Sequence, residues 1–166
     1  MLKIAIVGPE SSGKTTLAEA LARRYGMPWV PEFARAYLEK QGGAYSREGL
    51  LPIALGQCAT EDARATDAPA MLFCDTDMIT IRIWSEEKFG ACDARIVELT
   101  EQRHYDHWLL CRPDIPWEPD PLRENPHDRE RLFAGYEHML QRLNKPYTVI
   151  GGDRNDRLLK AGNVLR

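Results

Sequence analysis

The stretch IVGPESSGKTT, Ile6 to Thr16, decides how this chain of 166 residues is read. Gly8, Gly13, Lys14 and Thr15 stand in the spacing G-x-x-x-x-G-K-[ST]. A loop of that kind turns backbone N–H groups toward phosphate oxygens, and its glycines adopt dihedrals that other residues avoid. The lysine reaches the outer phosphates, and the Thr15 hydroxyl can ligate Mg2+. The flanks agree with this. LKIAIV (Leu2–Val7) reads as a buried strand, and TTLAEALARRYG spaces Leu17, Ala20 and Leu21 as a helix that ends on Gly26. That helix points the positive end of its dipole at the same anion. Gly8, Glu10, Ser11, Ser12, Gly13, Lys14, Thr15 and Thr16 are therefore the expected nucleotide-binding set, with ATP as the ligand.

The rest of the composition narrows the class. A chain of 166 residues is most simply one domain with a sizeable core. Its 43% hydrophobic and 28% charged residues are ordinary for a globular protein, which excludes fibrous and disordered classes. A net charge of −3 argues against a general nucleic-acid binder. No apolar run approaches a membrane span, and the N-terminal run leads into the loop rather than a cleavage site. The four cysteines, Cys58, Cys74, Cys92 and Cys111, form no C-x-x-C pair, and the histidines lack zinc spacing. A cytoplasmic protein without structural metal is expected, with a homo-oligomer left open.

Strand-like runs recur at MPWV, AMLFC, HWLLC and PYTVI, with helical stretches between them. Such alternation predicts an α/β fold of three layers, a parallel sheet of about five strands with helices on both faces. Ligands then bind beyond the carboxyl ends of the strands. Glu32 follows the second run, in VPEFARAY, where it reads either as a site carboxylate or as a charge favoured by a helix start. Asp75 ends the third run, in MLFCDTD, as a Walker B carboxylate that holds Mg2+. Asp77, two residues on, reads as a substrate contact or a helix cap. The segment near residues 113–130 carries five prolines between Pro113 and His127 and is expected to be a mobile lid. Arg123 and Arg129, favoured over Arg131, are its candidates for stabilising a phosphoryl group in transit. In GGDRNDR, Arg154 is placed to stack on the adenine, or simply to follow a turn. Trp84, Trp117, Phe33, Tyr37 and Tyr45 can supply a face for a flat ring.

These residues resemble a family. GPESSGKTTLAEALA, PEFARAYLE, ALGQ, CDTDMIT, YDHWLLCRPDIPWEPDPLRE and NKPYTVIGGDRNDR, in order over nearly the whole chain, are similar to the nicotinamide riboside kinase domain of NadR-type regulators of NAD synthesis. The resemblance implies a P-loop kinase fold and phosphoryl transfer from ATP to the 5′-hydroxyl of a riboside. VPE and LGQ are also similar to deoxynucleoside kinases. That likeness implies that Glu32 accepts the sugar hydroxyl proton and that Gln57 reads the ring. The regulators carry an adenylyltransferase domain, and often a DNA-binding domain, ahead of the kinase. Here the loop begins at residue 8, so only the kinase step carries over.

The reading is an ATP-dependent, Mg2+-dependent small-molecule kinase. Lys14, Glu32, Asp75, Arg123 and Arg129 are its catalytic candidates, Thr15 and Asp75 its metal ligands. Glu32, Arg35, Gln57 and Asp77 form the acceptor site. Two alternatives stand beside it: an ATPase or NTP switch acting on a protein partner, and a kinase for another nucleoside or nucleotide.

Overall fold

A computed structural model describes residues 1–165. Five strands form a single sheet: β1 (Leu2–Val7), β2 (Trp29–Val30), β3 (Met71–Asp75), β4 (His107–Cys111) and β5 (Tyr147–Ile150). Their order is β2-β3-β1-β4-β5 and every pairing is parallel. All five carboxyl ends therefore emerge on one edge.

The strands are buried on both sides, as parallel strands under crossover helices must be. Alternate residues face opposite layers. Ile4, Ile6, Phe73 and Leu109 meet Leu17, Leu21 and Ala161 of α1 (Lys14–Tyr25) and α7 (Arg154–Val164). On the other face Ala5, Val7, Leu72 and Leu110 meet Ile79, Ile83, Phe133 and Leu140 of α4 (Met78–Phe89) and α6 (Arg129–Arg142). A third cluster joins α2 (Phe33–Lys40), α3 (Leu50–Thr66) and α5 (Ala94–Gln102) to α4 through Leu38, Ile53, Ile81 and Ile96. The expected three-layer α/β architecture is observed.

Boundaries shift for local reasons. The second run keeps only Trp29 and Val30 as strand, because Met27 donates its N–H to the Ala22 carbonyl in the α1 cap and Pro28 has none to give. The helical stretch before β3 starts as a 3-10 turn at Arg47–Gly49 and becomes α-helical at Leu50. Pro52 is tolerated there because first-turn N–H groups have no intrahelical acceptor. Among the described residues no helix is long and apolar enough to cross a membrane.

Candidate functional site

β1 runs straight into the loop. Gly8 ends the strand at φ 144°, where a Cβ would lie 2.6 Å from the Cys111 carbonyl oxygen, so only glycine lets the loop pass the end of β4. Ser11 and Gly13 also take positive φ, 56° and 84°. Turns of that kind build a concavity of backbone N–H groups. Ser12 Oγ donates to the Pro9 carbonyl at 2.6 Å. Lys14 Nζ donates to the carbonyls of Gly8 and Pro9, at 3.0 and 2.9 Å. Among the described residues it makes no ion pair.

β3 lies beside β1 and ends at Asp75, in register with Ile6. Thr15 Oγ1 donates to Asp75 Oδ2 at 2.5 Å, while Asp75 Oδ1 is buried with no hydrogen-bond partner. Burial, with the Glu32 charge adding to it, pushes the Asp75 carboxyl up to about 6. An orphaned carboxylate oxygen beside a hydroxyl suits a hard divalent cation, so Thr15 and Asp75 fit Mg2+. Among the described residues no group of three or more His, Cys, Asp or Glu could hold a metal. Such an ion would complete its shell with water and phosphate oxygens.

The same carboxyl gives a stability test. Its folded value lies above the ordinary 3.8, so its contribution favours the fold below that value and is lost as pH rises through about 6. Asp75→Asn should therefore stabilise the nucleotide-free protein at pH 7.5 by about 1–3 kcal/mol. The gain should shrink toward zero near pH 4. Denaturant melts across that range measure it, and a pH-independent difference would contradict the buried, charge-penalised carboxylate.

Glu32 follows β2 at the cap position of α2, with extended dihedrals and no capping bond from its own side chain. It lines a cavity of about 650 Å3 that runs from the loop, Gly8 to Thr16, to a second half walled by α2, α4 and α6. That volume is in the range of small-molecule sites. Arg35, Trp84, Lys88 and Arg131 line the second half. Residues 112–128 carry neither helix nor strand and fold down over the loop. Glu10 accepts the Asn125 N–H at 2.9 Å, and Ser11 Oγ accepts the Glu118 N–H at 2.9 Å. Arg123 lines the cavity and bonds the Glu118 carbonyl, with its guanidinium over the Trp117 ring.

A protein-family model described as AAA domain matches residues 3–157. The chain belongs to that family. It is 30% identical over 124 residues to the trifunctional NAD biosynthesis/regulator protein NadR of Salmonella typhimurium, a match that covers 72% of this chain and 30% of that protein. A crystal structure of NadR in complex with NAD and AMP-PNP superposes with a TM-score of 0.79 at 19% identity, over 98% of this chain and 48% of that one. A second, of NadR in complex with NR, gives 0.78 at 20% identity, over 99% and 50%. The match thus covers less than a third of that curated relative, and the chain spans about half of each solved NadR chain. The NadR-type resemblance carried by the sequence stretches is met by these matches.

Several expected site residues do not reach the cavity. Asp77 is fully enclosed: its carboxylate accepts the Thr80 N–H at 3.1 Å, capping α4, and the Trp108 indole N–H at 2.7 Å. Thr76, at φ 89°, reverses the chain between Asp75 and Asp77, so the two carboxylates part company. Gln57 is buried behind α2, bonded to the Phe33 N–H at 2.9 Å. Arg129 does not line the cavity; it ties the 112–128 segment to the loop through the carbonyls of Ser11 (3.0 Å) and Ile115 (2.9 Å). Arg154 is exposed at the start of α7, outside the cavity. Of the aromatics, Trp84 lines the cavity, its N–H donating to Tyr45 OH at 2.8 Å, whereas Phe33 and Tyr37 pack against the α2–α3–α4–α5 cluster.

Arg157 is the residue that sequence reasoning missed. It is buried and donates to the carbonyls of Ser12 (2.6 Å), Gly152 (2.8 Å) and Arg112 (2.9 Å), with Asp114 as its ion-pair partner. It ties the loop to the ends of β4 and β5. The signal was helical phase: Arg157, Ala161 and Leu165 recur every four residues on the buried side.

Proposed function

We propose that this chain transfers the γ-phosphoryl group of ATP to the 5′-hydroxyl of a riboside, nicotinamide riboside first, in the cytoplasm. The carrying observation is one cavity that joins the phosphate loop, with Thr15 bonded to the buried Asp75 just behind it, to Glu32, whose carboxylate makes no capping bond. ATP would lie on Gly8 to Thr16, with Lys14 and Arg123 facing the transferred group. Mg2+ held at Thr15 and Asp75 would neutralise phosphate charge. Glu32 would orient the acceptor hydroxyl and take its proton late. Most of the catalysis is then positioning and electrostatics.

The charges of the acceptor half favour a neutral sugar alcohol over a nucleotide acceptor. Arg35 is paired with Asp120, Lys88 with Glu124 and Arg131 with Glu87, so each cation already has a carboxylate. Among the described residues the cavity's unpaired cations are Lys14 and Arg123, assigned above to the donor phosphates, so an acceptor phosphate would have to break an existing ion pair and would approach Glu32. The NadR relatives support nicotinamide riboside among the ribosides, since one solved NadR contains NR. The test is an acceptor screen with ATP and Mg2+, reading ADP release and the phosphorylated product. Nicotinamide riboside should turn over faster than thymidine or any nucleoside monophosphate. ATP hydrolysis indifferent to every acceptor would move the assignment to an NTP switch.

A further inference from the structure

Glu32 holds the cap position of α2, yet its carboxylate caps nothing. The first N–H groups of a helix have no intrahelical acceptor, and a cap side chain reaches those of the second and third helical residues rather than the first. Here the acceptor comes from another helix. Gln57 Oε1, on α3, takes the Phe33 N–H at 2.9 Å. The amide cannot turn over freely, because its Nε2 donates to Glu61 Oε1 at 3.3 Å. Glu61 is itself fixed: buried completely, it is bound by Lys3 Nζ at 2.5 Å, Arg103 Nη2 at 2.9 Å and Tyr105 OH at 2.9 Å. The contact between α3 and the start of α2 is also tight. A Cβ at Gly56 would lie 2.2 Å from the Phe33 ring, so glycine alone lets Gln57 come this close.

We propose that Gln57 is a positioning residue that holds the first N–H of α2, at Phe33, and so fixes the adjoining backbone from which Glu32 presents its carboxylate to the acceptor hydroxyl. The chain of contacts runs from Glu61 through Gln57 to Phe33, whose backbone carries Glu32 as its neighbour. Gln57 itself is 1% exposed and does not line the cavity, so it reads no part of the acceptor ring. The inference rests on the catalytic reading of Glu32 made above.

Without the Gln57 acceptor the Phe33 N–H is left unsatisfied, and the backbone that carries Glu32 loses the bond that fixes it to α3. Displacements of about 1 Å in a positioned group cost up to roughly 100-fold in rate. Gln57→Met keeps side-chain length and removes both hydrogen bonds. It should lower kcat by roughly 10- to 100-fold, by the same factor for acceptors with different rings, and leave KM for ATP unchanged. In a Glu32→Gln background the same substitution should cost almost nothing further.

A second measurement needs neither activity nor a variant. The Phe33 amide, first in its helix, should exchange slowly in the wild-type protein because Gln57 accepts it. Fast exchange at Phe33 in the wild type overturns the role given to Gln57, and so does an equal penalty from Gln57→Met with and without Glu32. A change in ring preference at unchanged kcat would return Gln57 to ring reading. Full turnover in Glu32→Gln would instead remove the catalytic reading of Glu32, and the functional need for the Gln57 contact with it.

Discussion

Lys14→Ala should abolish measurable turnover, by about 1,000-fold or more, while the protein melts within a few degrees of wild type. The two halves of that expectation come from one observation. Among the described residues Lys14 Nζ bonds the carbonyls of Gly8 and Pro9, neutral acceptors on its own loop, and forms no ion pair, its charge reaching the buried Asp75 carboxylate only at a distance. Its removal therefore breaks no ion pair, and the fold loses little. Its value lies with a charged ligand. A point charge about 4 Å from a phosphate oxygen is worth about 4 kcal/mol at an effective dielectric near 20. At about 1.4 kcal/mol per decade, that is roughly three orders of magnitude in rate. Lys14→Arg should not rescue it, because a planar fork does not fit a niche closed by two carbonyls. Single-turnover kinetics alongside a thermal melt decide the point. A folded Lys14→Ala protein with near-normal turnover would mean that this loop does not carry the transferred phosphate.

The parts of the molecule that were legible are those governed by local rules. β1, the loop and α1 follow from glycine spacing and helical period alone. Asp75 follows from being the first polar residue after a buried run. The parallel sheet follows from alternation, but the order β2-β3-β1-β4-β5 is set by which apolar faces meet, and no single segment records that. Side-chain direction in the connections was less legible still. Asp75 and Asp77 look equivalent in CDTD, yet the positive φ of Thr76 sends one to the loop and the other into the core, under the Trp108 indole. Gln57 sits on the side of α3 that meets α2, which depends on Gly56 letting the Phe33 ring approach. Arg154 and Arg157 lie in one helical turn, and only the packing of α7 on α1 decides which of them reaches the loop.

Glu32→Gln should lower kcat by roughly 100- to 10,000-fold, the usual cost of removing a general base, with ATP affinity nearly unchanged. Glu32 comes after β2, two strands away from β1, so it meets the loop from the acceptor side, opposite the β5–α7 turn that Arg157 anchors. The carboxylate lines the cavity, makes no hydrogen bond among the described residues, and stands close enough to raise the Asp75 carboxyl. A group so placed can hydrogen-bond the attacking hydroxyl, orient its lone pair and accept its proton once bond formation is advanced. The loose transition state of phosphoryl transfer asks for little base strength, so position matters more than affinity for the proton. Glutamine keeps size and a hydrogen-bond acceptor but loses the charge, and with it the proton's destination. Because Glu32 caps nothing, the substitution should leave the melting temperature in place. Asp77→Asn is the control. Asp77 is enclosed and serves α4 and Trp108, so its loss should appear as altered stability rather than as a selective fall in kcat. Steady-state kinetics of both variants, with nucleotide binding measured separately, separate the cases. If Glu32→Gln keeps most of its kcat while Asp77→Asn loses it at full stability, the hydroxyl's proton leaves by another route, and Glu32 is no more than the start of a helix.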